Sequence, residues 1–299
     1  MRSSGILMHI TSLPGKYGVG SMGKEAFDFV DFLKKAGQSY WQILPLTPTG
    51  YGDSPYQSCS TFAGNPYLID LELLIEEGLL TVDEVAHRDW CWSNDRVDFG
   101  RMYNNKLAVL RLAYDRFPGG ADFDAFQAEQ AAWLPDFALF MALKGENNSA
   151  AWYTWEDGLK FRKAEALNAA RERLANEIRF YCFVQYTFYK QWTALLNYAH
   201  SKGIEIIGDV PIYVPYDSVE VWCEPDLFQL DETLTPTAIA GCPPDAFSED
   251  GQLWGNPLYN WDKMKQQNFD WWVRRMAAAG KLYDVIRLDH FRGFEAYWS

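Results

Sequence analysis

Near one end of the chain the sequence reads Val285-Ile-Arg-Leu-Asp-His-Phe-Arg-Gly293. Side chains alternate faces along a strand, so Arg287 and Asp289 share a face and His290 begins the following turn. A guanidinium beside a carboxylate favours the charged form. An ionised, oriented carboxylate is what a nucleophile at a glycosidic carbon must be. An isolated Arg-x-Asp describes a plain ion pair at a strand end just as well. The Asp, His and Arg gathered at one strand end tilt the reading toward a site. A second candidate is Ile206-Ile-Gly-Asp-Val-Pro-Ile-Tyr213, where Asp209 ends a strand and shares its face with Ile207 and Glu205. Asp209 could bind a substrate hydroxyl or simply cap the next turn. The third is Tyr51-Gly-Asp-Ser-Pro-Tyr-Gln-Ser58. Here Tyr56, two residues after Ser54, could offer a flat ring to a sugar or be an ordinary loop tyrosine. Pro243-Pro-Asp-Ala-Phe247, which carries Asp245, and Leu253-Trp-Gly-Asn-Pro-Leu-Tyr259, which carries Trp254, add aromatics in loops.

These residues need a scaffold that brings strand ends together. Gly5 to Ile10 reads as a buried strand, Ser21 to Ala36 as an amphipathic helix, and Tyr40 to Leu46 as the next strand. That is a β-α-β unit, which implies parallel strands. A Pro-, Gly- and Ser-rich loop follows from Thr47 to Tyr67. About 71–181 reads as a mainly helical insertion. Thr187 to Lys202 is a further helix, stopped by Gly203, and Ile204 to Asp209 a third strand. A long loop from Pro211 to about Trp261, a helix ending near Gly280, and a fourth strand from Tyr283 to Asp289 complete the pattern. The expected fold class is α/β: the first four strands of a (β/α)8 TIM-type barrel across 1–299, with the helical insertion inside it. A closed barrel takes typically about 250 residues, and here the insertions consume the length.

Composition narrows the partners. The net charge is -13, against nucleic acid and against an anionic membrane surface. No apolar stretch is long enough for a membrane span and the first residues are too short an apolar run for a signal peptide, so a cytoplasmic protein is expected. The 13 Trp, 17 Tyr and 19 Phe suit sugar faces or fill a large core. Cys59, Cys91, Cys182, Cys223 and Cys242 form no C-x-x-C pair and read as reduced thiols. The four His are scattered and H-E-x-x-H is absent, so a zinc site is not expected. Gly18-Val-Gly-Ser-Met-Gly23 matches a dinucleotide-binding pattern, but Leu44-Pro-Leu-Thr47 stands where that fold needs an acidic residue.

The segments Ser4-Gly-Ile-Leu, Ser12-Leu-Pro-Gly, Tyr17-Gly-Val-Gly-Ser, Gln42-Ile-Leu-Pro-Leu, Tyr51 to Ser58, Gly64-Asn-Pro-Tyr67, Gly208-Asp-Val-Pro-Ile, Gly241-Cys-Pro-Pro-Asp, Trp254-Gly-Asn-Pro and Arg287-Leu-Asp-His-Phe-Arg-Gly run in one order along the chain. In that order they resemble the amylomaltase family of 4-α-glucanotransferases, relatives of the α-amylases. The resemblance implies retaining transfer of α-1,4-glucan segments between maltooligosaccharides through a covalent glycosyl-enzyme, with no cofactor. By motif, Asp289 is the nucleophile with Arg287 beside it, and His290 resembles a histidine that binds sugar hydroxyls. Asp209 and Tyr56, with Ser54 in the same segment, line the subsite of the cleaved glucose. Trp254 and the loop with Asp245 line neighbouring subsites. In the family the acid/base Glu comes from the next strand. This sequence ends ten residues after Asp289, and Glu295 does not match that Glu by motif. The expectation is therefore a truncated chain without its own general acid. Two other functions stay open, a non-catalytic α-glucan-binding fragment and an α-glucan hydrolase.

Overall fold

The computed structural model describes residues 2–91, 96–244, 246 and 248–296. Its strands are β1 (Gly5–Leu7), β2 (Tyr40–Gln42), β3 (Glu205–Val210), β4 (Ile239–Cys242), β5 (Gln252–Pro257) and β6 (Val285–Leu288). Four of them form one parallel sheet in the order β1-β2-β3-β6. The register sets Tyr40 beside Glu205 and, further along, Asp209 beside Arg287. Both polar residues therefore project from the same face at the carboxyl end of the sheet.

Packing explains which face is covered. Ile206 is fully buried against the helices, and Gly208 lies under the Tyr283 ring. A Cβ at Gly208 would stand 2.1 Å from that ring, so only glycine lets β3 pass. Trp41 of β2 is fully buried, and its indole N–H donates to the Met8 carbonyl at 2.7 Å. On the opposite face Leu7 is 57% and Val285 40% exposed. The Lys24–Lys35 helix turns Ala26, Val30 and Leu33 inward, at the spacing an amphipathic helix requires.

Between β2 and β3 the chain is helical. Phe99–Arg116, Leu134–Glu146 and Ala175–Ser201 are the long helices there. The last packs on Leu134–Glu146, on the Lys24–Lys35 helix and on β3. The reading that starts a helix at Thr187 is corrected: the helix begins at Ala175, and position 181 lies inside it. Phe180, Phe183 and Phe188 carry its buried stripe through the aromatic run, which has no break to signal a start.

Two further expectations change. The first strand ends at Leu7, and Ile10–Ser12 forms a 3-10 turn, because the His9 peptide leaves the sheet. The long loop after Pro211 contains a Val219–Cys223 helix and the antiparallel β4–β5 hairpin, so Trp254 sits on a strand, not in a loop. All five cysteines are free thiols. The Gly18–Gly23 motif opens a helix, but the carboxylate of Asp70 occupies its N-terminus. A Cβ at Gly23 would meet Asp70 Oδ2 at 2.1 Å, and Ser21 donates to the same oxygen at 2.6 Å. A carboxylate held there repels a phosphate.

Candidate functional site

The carboxyl ends of β3 and β6 carry a three-residue hydrogen-bonded set. Arg287 donates through Nη1 to Oδ2 of Asp209 and through Nη2 to Oδ1 of Asp289, both at 2.7 Å. Tyr56 adds a third contact, its hydroxyl donating to Asp209 Oδ2 at 2.7 Å. Asp209 is 2% exposed, whereas the Asp289 side chain is 39% exposed. One arginine thus joins a buried carboxylate to an accessible one. Burial opposes the charge on Arg287, but Asp209 and Asp289 outweigh it and raise its pKa. Desolvation, then the bond to Asp209, push the Tyr56 phenol upward, so it stays protonated and donating.

The loop that carries Tyr56 is pinned by four buried or half-buried side chains. Gln185 pairs with both backbone groups of Gly64, accepting from its N–H at 2.7 Å and donating to its C=O at 3.0 Å. Gln191 does the same to Asp70, at 2.7 and 3.0 Å. Two turns of the Ala175–Ser201 helix therefore supply the bonds a sheet neighbour would give. Tyr189 donates to the Phe62 carbonyl at 2.8 Å. Glu220 accepts from Ser60 Oγ and Thr61 N–H at 3.0 and 2.7 Å. Burial raises its pKa, and these donors oppose that shift.

A cleft of about 970 Å³ opens over this set. Ser54, Tyr56, Tyr213, Trp254, Asp289 and His290 are among its walls. The His290 ring meets Trp254 edge-on, with centroids 5.0 Å apart and planes at 88°. His290 holds φ 50°, a left-handed conformation uncommon outside glycine, and caps the Phe291–Phe294 3-10 turn that follows β6. Gln57 tethers the hairpin, donating to Asn256 Oδ1 at 3.1 Å. Ser54 Oγ accepts from the Tyr56 N–H at 3.2 Å, which tightens the turn.

Seven of the eight residues singled out by sequence thus come together here: Asp289, Arg287, His290, Tyr56, Ser54, Asp209 and Trp254. Asp245 lies outside the described residues. Sequence reasoning does not single out Gln57, Asn256, Tyr213 or Arg292, which also line the cleft. Each stands within a few residues of one that it does single out, and that proximity is the signal that could have found them. Among the described residues no cluster of three or more His, Cys, Asp or Glu is placed to hold a metal. No helix among them is long and apolar enough to cross a membrane.

A cleft at the carboxyl ends of parallel strands, with carboxylates joined by an arginine and aromatic walls, lies where an α/β protein places its ligand site. The family described as 4-alpha-glucanotransferase matches residues 8–299, and the chain belongs to it. A 4-alpha-glucanotransferase of Clostridium butyricum is 51% identical over 98% of this chain and 61% of its own length. One of Thermus thermophilus is 51% identical over 100% of this chain and 60% of its own length. The amylomaltase from Streptococcus agalactiae, solved in complex with acarbose, superposes with a TM-score of 0.96 at 48% identity, over 100% of this chain and 61% of that one. The chain spans about 60% of the length of the curated relatives it matches.

Proposed function

We propose that this chain forms the nucleophile-bearing, glucan-binding part of a cytoplasmic 4-α-glucanotransferase. The observation that carries the reading is the Arg287 bridge from buried Asp209 to Asp289, which lines the cleft. In this reading the four parallel strands are the first four of a (β/α)8 barrel, and about 71–181 is an insertion packed beside it. Asp289 attacks the anomeric carbon of an α-1,4-glucan, and Arg287 keeps it charged and aimed. Asp209 and Tyr56 bind the glucose being transferred. Trp254, His290, Ser54 and Asp245 border it and its neighbours. The acarbose-bound amylomaltase supports an α-glucan as the ligand class. The 4-hydroxyl of a second glucan then takes the glycosyl group from Asp289.

A narrower reading, that the chain by itself binds glucan without turning it over, has one observation in its favour. Among the described residues lining the large cleft, Asp289 is the only carboxylate. A retaining mechanism needs a second carboxyl about 5 Å away to protonate the leaving oxygen, and general-acid help is worth typically about 10²–10⁴-fold. Incubation with maltotriose separates the alternatives. Glucose with maltopentaose means transfer; shortening alone means hydrolysis. Saturable acarbose binding without products means the binding-only reading. Absence of both binding and products overturns the glucan assignment.

A further inference from the structure

The cleft takes its walls from three segments: the loop that carries Ser54 and Tyr56, the β4–β5 hairpin, and the turn after β6. The first two meet at Gln57, the residue after Tyr56. Its Nε2 donates to Asn256 Oδ1 at 3.1 Å and makes a longer contact with the Trp254 carbonyl at 3.4 Å. Asn256 is 3% exposed, so water is a poor substitute for that partner. Gln57 is also fixed in its own loop. Its backbone N–H donates to the Ser54 carbonyl at 3.3 Å, and its carbonyl oxygen would stand 1.7 Å from a Cβ at Gly50.

The hairpin has an irregularity at the same place. Its register passes from Gly241 opposite Leu253 to Ile239 opposite Pro257. Trp254, Gly255 and Asn256 therefore share Ala240 as their counterpart, which makes a bulge in β5. Gly255 holds φ 77° inside it, a left-handed conformation that favours glycine. A bulge opens the ladder locally and re-aims the residues in it. Here the Trp254 carbonyl and the Asn256 carboxamide both face Gln57, while the Trp254 ring meets His290.

We propose that Gln57 and Asn256 latch two walls of the cleft together and are positioning residues for the glucan site. The latch holds the Tyr56 loop at a fixed distance from Trp254, so a glucan meets both walls already in place. A site ordered in advance loses less affinity to the ordering of its own loops. The positioning role rests on the glucan-binding reading above; the latch itself does not.

The test has two arms. Calorimetric titration with acarbose compares the wild type, Q57N, N256Q and the double variant Q57N/N256Q. Each single change alters the reach of the amide pair by one methylene, and the double variant restores the sum. Q57N and N256Q should each weaken binding about fivefold, the size of one neutral hydrogen bond. The double variant should recover to within about twofold of the wild type. Losses that multiply in the double variant would mean two independent packing defects and overturn the positioning role. The second arm is a pair of crystal structures of the chain, with and without acarbose, and needs no variant to fold. Gln57 Nε2 and Asn256 Oδ1 should lie within hydrogen-bond distance in both; a pair that separates in either overturns the latch. If the wild type does not bind acarbose, the glucan reading falls and the positioning role with it, while the structure of the free chain still decides the latch.

Discussion

Arg287 does two jobs with one side chain, because a guanidinium offers parallel donors in a fixed fork. Lysine could satisfy Asp209 or Asp289 but not both in this geometry. R287K should therefore lower acarbose affinity by about tenfold or more, read by calorimetry, with little change in melting temperature, since Arg287 is half exposed. Tyr56→Phe removes a hydrogen bond to a charged group. We expect a loss of about 1.5–3 kcal/mol in binding. His9 supplies a separate prediction. Burial pushes its pKa down to about 4, whereas an unfolded histidine titrates near 6.5. The unfolded chain takes the proton first, so His9 destabilises the fold progressively as pH falls from about 6.5 through about 4. The full effect is on the order of 3 kcal/mol. Melting curves from pH 7 to 4 should fall less steeply for His9→Gln than for the wild type; parallel slopes would contradict this. The sequence made Asp289, Arg287 and Asp209 readable because each stands in a short motif at a strand end, and Tyr56 because it stands in a short motif of the loop after β2. It did not reveal that one arginine bridges two carboxylates, since 78 residues separate Asp209 from Arg287 and only the parallel register makes them neighbours.

The Ala175–Ser201 helix shapes the site without lining it. Gln185 and Gln191 look in the sequence like ordinary exposed helix polars. Their burial becomes visible only once the Gly64–Asp70 segment is laid against them. That contact is long-range, so no local pattern announces it. Gly64 is the point of closest approach, and an added Cβ would stand 2.0 Å from the Phe188 ring. Gly64→Ala should cost about 1–3 kcal/mol through overpacking, measured by denaturant unfolding, and should weaken acarbose binding because Tyr56 moves with its loop. The β4–β5 hairpin was hidden for another reason. Its strands are short, contain Gly241, Gly255 and Pro257, and show no regular alternation. The strands of the parallel sheet were readable in number and order. Their ends were not, because a strand ends where its neighbour leaves the sheet and the backbone hydrogen bonds stop, as after the Met8 N–H donates to the Gln42 carbonyl, and side-chain pattern carries no mark of that point.

Taken whole, the molecule has one well-covered sheet face and one open one. Leu7 and Val285 stand exposed on the open face beside half-buried Ile207. Exposed apolar surface of this kind favours association. The purified chain should bind a hydrophobic dye or run larger than 34.4 kDa on calibrated light scattering; a dye-silent monomer would contradict the open face. The family followed from motifs spread along the chain, while the acidic charge served only to exclude partners. The most direct test of the account asks whether Asp289 is a glycosyl acceptor. With α-maltosyl fluoride the leaving fluoride needs no proton, so the reaction reads the nucleophile without the general acid. Intact-mass spectrometry should show one added maltosyl group, located on Asp289 by peptide mapping and missing from Asp289→Asn. No adduct on the wild type, or an adduct that survives the substitution, would contradict the assignment.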